Sequence, residues 1–503
     1  ALLACVIAAG IALTALVSAR EADRKTAEAK LQTAAANLEK VLADARSKLF
    51  RQPEQALGET LAVVRQDPTN VRALMALRAA VAANVPSISY PGVQRLLNIS
   101  ASGEFWLGFA LGPENFSPDG RRVVIPTERG ADIHDIIAGT TIELGGPGGH
   151  TDIVGSARFS PDGRLVATTS GDGTARLWDA NSGALRHVLA HDAAVNSAVF
   201  DAASRSLVTA TDPSALSGKG EVVVWEVATG KRRPLRAMEY TAEDVRHAGF
   251  SPDGRRVLAV GRNGHATVWD AATGRMVREL ELVHAEAQGT LDARSSSASC
   301  EDFVFVKAGV TYSPDGKWIT LLDQDGRATL FDAATLRRKR AQLPVEERFC
   351  ALDWSHDSTR LAGASSDGVV QVWDAASGRR VRTFPRRGDV VLSVAFHPQD
   401  RDVLLTASSD RSARLWTLGS GERSEPVQLL ALRGHRGAVG SAVFSPDGRY
   451  VLSAADDGTA RVWTLPPTAS LRPYDDRGGD VASTALAAGS SAQSLLPMLA
   501  RAK

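Results

Sequence analysis

The sequence predicts a mainly β fold in which small antiparallel sheets pack radially about an axis, and three observations predict it. First, a string of the form FSPDG recurs. It starts at Phe116, Phe159, Phe250 and Phe444 as FSPDG, at Tyr312 as YSPDG, and more loosely at Phe200 (FDAAS), Trp354 (WSHDS) and Phe396 (FHPQD). The spacing is roughly forty to fifty residues with one longer gap, the mark of a repeat array that carries an insertion. Second, each unit holds a tight polar turn between short apolar runs, and Asp-Gly in that place signals a hairpin because glycine accepts positive φ. Third, in every unit but the one from Phe116 the closing run ends in an aromatic, as in ARLW to Trp178, VVVW to Trp225, ATVW to Trp269 and VQVW to Trp373, and several of these runs are apolar on nearly every residue. Strands of that kind are covered on both faces. Eight small sheets covered on both faces suit a β-propeller.

Ahead of the repeats, Ala1 to Ala19 carries no charge and is mainly Ala, Leu, Val and Ile. As helix it spans roughly 28 Å, close to the hydrocarbon thickness of a bilayer, so residues 1–19 are read as a single-pass transmembrane helix. Two readings compete with that one. Val17-Ser18-Ala19 has the small residues of a signal-peptidase site, and a buried helix has the same composition. With no charged n-region and no initiator Met, the chain reads as a piece of a longer protein. The positive-inside rule needs both flanks, and one is missing.

Residues 20–50 are expected to form a helical stalk. Glu21 to Leu49 has no Pro or Gly, and Ala27, Leu31, Ala34, Leu38, Val41 and Ala45 alternate at spacings of four and three. That seam is short and half Ala, so self-association through it would be weak. In residues 51–86, Asp67-Pro68-Thr69-Asn70 interrupts two apolar-periodic segments, and Pro68 suits a first helical position. A helix pair follows, resembling one tetratricopeptide unit. A single unit cannot bury its own face, so it is expected to pack against a neighbour.

The propeller is expected over residues 93–465, with the segment around Val93 to Ile99 lent to the last blade to close the ring. Within each unit a strand ends in the aromatic, a Ser-Pro-Asp-Gly turn reverses the chain, a second strand such as Leu165 to Thr168 follows, and a tight turn leads to the third. The units resemble WD40 repeats: Trp178-Asp179, Trp269-Asp270 and Trp373-Asp374 give the dipeptide, and Gly149-His150 and Gly434-His435 the matching Gly-His. The resemblance implies a hydrogen-bond network linking a His before the first strand, a Ser or Thr on the second, the turn Asp and the third-strand Trp. It maps onto His150, Asp172 and Trp178 in one unit and His435, Asp457 and Trp463 in another. Elsewhere it is broken, with Asn263 at the turn Asp and Phe331 at the Trp. The unit from Phe116 ends in ADIHD without a Trp, so eight blades are preferred and seven are the alternative. Residues 466–503 lack periodicity and are read as a flexible tail. The Ser-rich DARSSSASCED stretch between Leu282 and Val310 is an insertion read as a surface loop, with partner binding or regulation as the alternative.

Chemistry is hard to place in such a chain. With 58 basic and 57 acidic residues it lacks the basic footprint of nucleic-acid binding. Cys5, Cys300 and Cys350 show no CxxC spacing and no zinc or disulfide framework. A single Cys300–Cys350 bridge and two free thiols are the open alternatives. No P-loop, HExxH, GxSxG or kinase motif is present in the sequence. His187 and His191 would pair on a helix, but RHVLAH reads as a strand, which sets them about 13 Å apart. The aspartates, such as Asp162, Asp172 and Asp179, repeat in register, whereas an active site needs different groups converging once. They are read as architecture, and the basic runs RRGD (386–389) and RRKR (337–340) as solvated loops. No catalytic residue, cofactor or metal is therefore assigned.

The whole arrangement resembles the C-terminal half of bacterial membrane-anchored signalling proteins in which a STAND-type nucleotide-binding module precedes the propeller. A membrane-anchored serine/threonine kinase with WD40 repeats is the second resemblance. Either implies a non-enzymatic scaffold or sensor that binds a protein or peptide on the propeller surface, with catalysis upstream of Ala1. A propeller enzyme or small-ligand binder using the axial channel is the rival.

Overall fold

Each recurrent string becomes one sheet. In a computed structural model, eight short antiparallel sheets follow one another from the Phe116 region to Thr464, so the ring has eight blades, counted here in chain order. The structure describes residues 40–41, 59, 87–91, 97–99, 105–107, 111–211, 220–234, 245–261, 266–280, 310–322, 328–339, 349–365, 367–384, 389–419 and 425–466. The propeller unit runs from Pro86 to Tyr474. Residues 1–85 and 475–503 make up a second unit, of which only 40–41 and 59 are described.

Blade two shows the common plan. Strands Val154–Phe159, Leu165–Ser170, Thr174–Asp179 and Leu185–Ala190 are hydrogen-bonded in that order. The first reversal is made by side chains. Ser160 Oγ donates to Asp162 Oδ1 at 2.6 Å and accepts the Leu165 N–H at 3.0 Å, while Gly163 takes φ +69°. The fourth strand has no place in the three-strand grammar of the sequence. It lies outermost, and its residues alternate between exposed and half-buried apart from Leu189, so it carries no apolar run to betray it. Blades one and five are reduced. The first strand of blade one shrinks to a bridge between Phe116 and Val123, and the fourth of blade five to a bridge between Phe331 and Arg338.

Second and third strands split their side chains between two neighbours. Along Arg256–Gly261, Val257 and Ala259 join Val208, Val222 and Val224 of blade three. Leu258 and Val260 join Ile319, Leu321 and Phe331 of blade five. The same apolar layers lie between blades one and two, two and three, five and six, and six and seven. Between blades seven and eight, His397 stacks edge-on to Phe444 at 5.0 Å. Blades eight and one close the circle, with Tyr450, Leu452 and Val462 packed on Phe116, Val123 and Ile125.

The closing strand differs from expectation. It is Ser87–Pro91, paired antiparallel with Thr459–Thr464 so that Ser89 faces Arg461. The segment near Val93 to Ile99 supplies instead Leu97–Ile99, which pairs with Phe105–Leu107 in a separate two-stranded hairpin. The reason is chemical. An outermost strand needs backbone partners more than apolar side chains, so Ser-Ile-Ser-Tyr-Pro can serve where the Leu-Leu-Asn-Ile run attracts attention. The expected transmembrane helix 1–19, stalk 20–50, helix pair 51–86, tail 466–503 and Ser-rich insertion lie outside the described residues, apart from 40–41, 59 and 466. Among the described residues no helix is long and apolar enough to cross a membrane.

Deleting residues 87–91 should leave Thr459–Thr464 as an unpaired edge. Amide hydrogen exchange is expected to accelerate in that strand and in Tyr450–Ala455 before any other blade. Equal exchange in both forms would show that the strand does not close the ring.

Candidate functional site

The residues best equipped for chemistry lie between strands, where burial removes them from solvent. In blade two, His150 is 3% exposed and sits just ahead of the first strand. Its Nδ1 lies 2.9 Å from Asp172 Oδ2, and its Nε2 lies 2.8 Å from Thr168 Oγ1. Trp178 Nε1 donates to the same hydroxyl at 2.9 Å. Burial holds the His150 imidazole below its usual pKa despite the opposing pull of Asp172. Burial also opposes ionisation of Asp172, but hydrogen bonds from Thr174, the Thr151 N–H and His150 outweigh it and keep the carboxyl low. A neutral ring therefore donates from Nδ1 to a carboxylate and accepts from Thr168, which in turn accepts from the indole. Every donor is used.

Blade eight repeats the arrangement. His435 Nδ1 is 3.2 Å from Asp457 Oδ2, His435 Nε2 is 2.8 Å from Ser453 Oγ, and Trp463 Nε1 donates to Ser453 at 2.8 Å. A third network escaped the sequence reading. In blade three, His191 Nε2 is 3.0 Å from Thr209 Oγ1, and Trp225 Nε1 donates to Thr209 at 2.8 Å. Glu221 takes the aspartate's part at 3.4 Å from His191 Nδ1 and also pairs with Arg232. The signal was present as a His eighteen residues before a strand Thr, the same offset as His150 to Thr168; the absence of Gly before His191 hid it. His187 takes no part in this network, so the two histidines are not a pair.

Where the network is broken, the cause can be read from strand register. Trp269 faces Val257 in the ladder, which puts Ala259 where blade two has Thr168. Trp373 faces Leu361, which puts Gly363 there. Both indole N–H groups are buried without a hydrogen-bond partner. In blade five Phe331 faces Ile319, which puts Leu321 where blade two has Thr168, and Thr320 on the other face receives Trp354 Nε1 from blade six at 3.1 Å. In blade seven Trp416 bonds Thr406 at 2.9 Å and stacks edge-on with Phe384.

The repeated aspartates are turn acceptors. Asp162 Oδ1 takes the Ser160 hydroxyl and the Arg164 N–H at 3.1 Å. Asp179 Oδ1 takes the Asn181 and Ser182 N–H groups at 3.1 and 2.9 Å, and its other oxygen takes Arg186. Arg186 and those turn donors hold Asp179 far below the usual carboxylate range. Among the described residues no three His, Cys, Asp or Glu side chains form a metal-binding group.

One cluster does join different residue types. Arg158 on blade two lies 3.9 Å from Glu114, beside the first strand position of blade one, and its Nε is buried without a partner. Both charges act on His247 on the first strand of blade four. Its burial and the Arg158 cation push it down to about 4. These innermost strands meet near the axis, so acid, base and cation converge there once.

Five segments match the family described as WD domain, G-beta repeat: residues 143–179, 233–270, 345–374, 378–417 and 426–464. The chain thus carries WD40 repeats in an eight-bladed propeller. It is similar to pre-mRNA-processing factor 17 of Homo sapiens, at 24% identity over 53% of this chain and 51% of that one. Eukaryotic translation initiation factor 3 subunit I of Pyricularia oryzae is 25% identical over 60% of this chain and 86% of its own length. An uncharacterized WD repeat-containing protein of Synechocystis sp. is 31% identical over 32% of this chain and 45% of its own length. The chain spans about half the length of the first of these relatives. The crystal structure of the computationally designed Ika8 protein aligns with a TM-score of 0.52 at 20% identity, covering 69% of this chain and 93% of that one. That is a likeness of fold.

Two outcomes follow from the networks. Ala259→Ser supplies an acceptor for Trp269 and should raise stability by about 1 kcal/mol, whereas Thr168→Val orphans a His and a Trp and should cost about 3 kcal/mol. Gly363→Ser should not help, because a Cβ there would meet Phe349 Cδ1 at 2.8 Å. Urea midpoints of the three variants check the ordering. Burial lowers His191 from 6.5 to about 4, so its neutral form contributes stability that is full above about pH 6.5 and lost as pH falls towards 4. The loss is on the order of 3 kcal/mol. His191→Gln should flatten the dependence of unfolding free energy on pH in that window; an unchanged slope would refute it.

Proposed function

We propose that this chain is a non-enzymatic interaction scaffold, the propeller half of a membrane-anchored bacterial signalling protein, whose surface binds a protein or peptide. The observation that carries the reading is the fate of the reactive groups. Carboxylates and imidazoles that chemistry would need are consumed, blade by blade, as acceptors in turns and networks. What the ring leaves variable is its loops and rim, and a rigid frame that varies only at its surface suits recognition. The relative named as a subunit of a translation initiation factor supports the reading, since that name describes a member of a larger assembly. Membrane attachment rests on the uncharged run from Ala1 to Ala19.

A second reading, a small-ligand site at the axis, rests on the Glu114, Arg158 and His247 cluster. Its acid and cation lie close enough to offset each other, which favours a structural part.

In-cell crosslinking of the full chain, read by mass spectrometry, should yield heteromeric links from propeller loops, unaltered in Arg158→Ala. The scaffold reading would be abandoned if the purified chain turned over a substrate and Arg158→Ala with Glu114→Gln removed that activity. Extraction of the full chain by detergent but not by alkaline carbonate is the outcome expected of a membrane anchor.

A further inference from the structure

Four consecutive blades place a cation at a position where the first two do not. The residue after the left-handed turn between third and fourth strands is Thr140 in blade one and Ala184 in blade two. In blades three to six it is Lys231, Arg275, Arg337 and Arg379. Its carbonyl accepts the N–H of the third-strand Asp in blades one, two, four, five and six, at 2.8–3.0 Å. The backbone defines the position. Threonine and alanine serve it as well as arginine, so the fold does not ask for the charge.

Nor is the charge neutralised locally in blades three to five. Lys231, Arg275 and Arg337 are exposed and make no ion pair among the described residues. The nearest repeated carboxylates are occupied: Asp270 by the Thr273 N–H and hydroxyl, and Asp332 by those of Thr335, at 2.7 Å each. By contrast, Arg121 in blade one pairs with Asp135, and Arg186 in blade two with Asp179. The turns of blades four to six are also tied into one continuous edge. Arg256 reaches the carbonyls of Ala333 and Ala334 on blade five, and Lys339 reaches those of Ala375 and Ala376 on blade six.

At the blade-four end of this edge is an apolar pair. Met276 and Val277 are 51% and 48% exposed, flanked by Arg275 and Arg278. They lie on Met276–Leu280, the outermost strand of blade four, whose free side pairs with no described strand. Glu279 lies on the same strand, but Arg275, Arg278 and Arg337 leave this edge net basic, so it repels a second basic edge and admits an acidic one.

We propose that this edge docks an acidic, extended segment of a partner protein, added as a strand beside Met276–Leu280. Its apolar side chains cover Met276 and Val277, and its carboxylates meet Arg275, Arg278 and Arg337. Arg337, the first residue of a run read from sequence as a solvated loop, becomes part of a recognition surface. The proposal rests on the scaffold reading and names its partner class. Strand addition supplies main-chain hydrogen bonds for affinity, while the charges select the partner and speed encounter. Nucleic acid fits less well, because the described part of this edge offers no free aromatic face for a base; Trp318 lies under the Lys339 ammonium at 4.2 Å.

The test uses the full chain and a short fluorescent peptide alternating glutamate and valine, with a lysine–valine peptide, a single-stranded oligonucleotide and phosphatidylserine vesicles as rivals. Saturable binding of the acidic peptide is expected, weakening with salt. It should fall at least about tenfold in Arg275→Glu/Arg278→Glu/Arg337→Glu, a variant that keeps the wild-type melting temperature, and also in Met276→Asp. Absent binding, binding indifferent to the triple reversal, or preference for the oligonucleotide or the vesicles would overturn the proposal. If the in-cell crosslinks persist in the triple variant, the surface assignment falls and the scaffold reading stands. If wild-type chain gives no heteromeric crosslinks at all, the scaffold reading falls with it.

Discussion

A small sheet that is apolar on both faces cannot be stable alone, and the rest of this structure follows from that constraint. In every blade the residues that alternate along the second strand serve opposite neighbours: Val257 and Ala259 turn towards blade three, Leu258 and Val260 towards blade five. Each sheet therefore needs two partners, and only a closed ring gives every sheet two. The apolar layer between blades eight and one is the same kind of layer as the others, so closure is driven by side chains before the Ser87–Pro91 strand adds its backbone bonds.

Ring geometry then demands that the turns at one end be held at fixed height, and the backbone supplies the clamp. The residue just past each third strand donates its N–H to the carbonyl just ahead of the second strand. Ala180 bonds Arg164, Ala271 bonds Arg255, Ala375 bonds Thr359 and Leu465 bonds Arg449, each at 2.8–2.9 Å. Because main-chain atoms make this bond, the side chains at these positions are free to vary. Departures from the repeat are also put to use. Ser204 and Ser358 stand where other turns have glycine, at φ 57° and 58°. Their hydroxyls accept the N–H of Asp162 and Asp315 from the preceding blade. A conformational cost of roughly 1 kcal/mol is offset by a bond between blades.

Most of the architecture was legible in the sequence because it is written eight times. The turn aspartates, the hairpins and the apolar third strands repeat, and repetition separates them from chemistry. The missed elements are those whose formation depends on partners rather than on their own pattern. The fourth strands are edge strands with exposed side chains, and the closing strand Ser87–Pro91 is recognisable only by the strand it joins. The His191 network was missed for a related reason: Glu221 reaches the imidazole from the third strand's first turn, an approach that no dipeptide motif encodes. Trp354 bonding to Thr320 across blades belongs to the same class, since the donor and the acceptor lie in different repeats.

The division between what repeats and what varies also locates function. Networks built on His150 and His435 bury their charges in bonds that point inward, and the turn carboxylates spend their oxygens on neighbouring N–H groups. Such groups cannot address a partner without first giving up bonds that hold the ring. Lys231, Arg275 and Arg337, after their left-handed turns, carry no such obligation, because the backbone of Thr140 or Ala184 does the same structural work. Charge can therefore accumulate on one arc of the ring at little cost to folding, limited mainly by mutual repulsion that solvent and salt screen. Around Arg275 and Arg337 it has accumulated beside exposed apolar side chains and an edge that pairs with no described strand, where selection for solubility alone would favour polar neighbours over Met276 and Val277. A ring of interchangeable blades thus acquires direction: its interior specifies how it closes, and one arc of its rim specifies what it can meet.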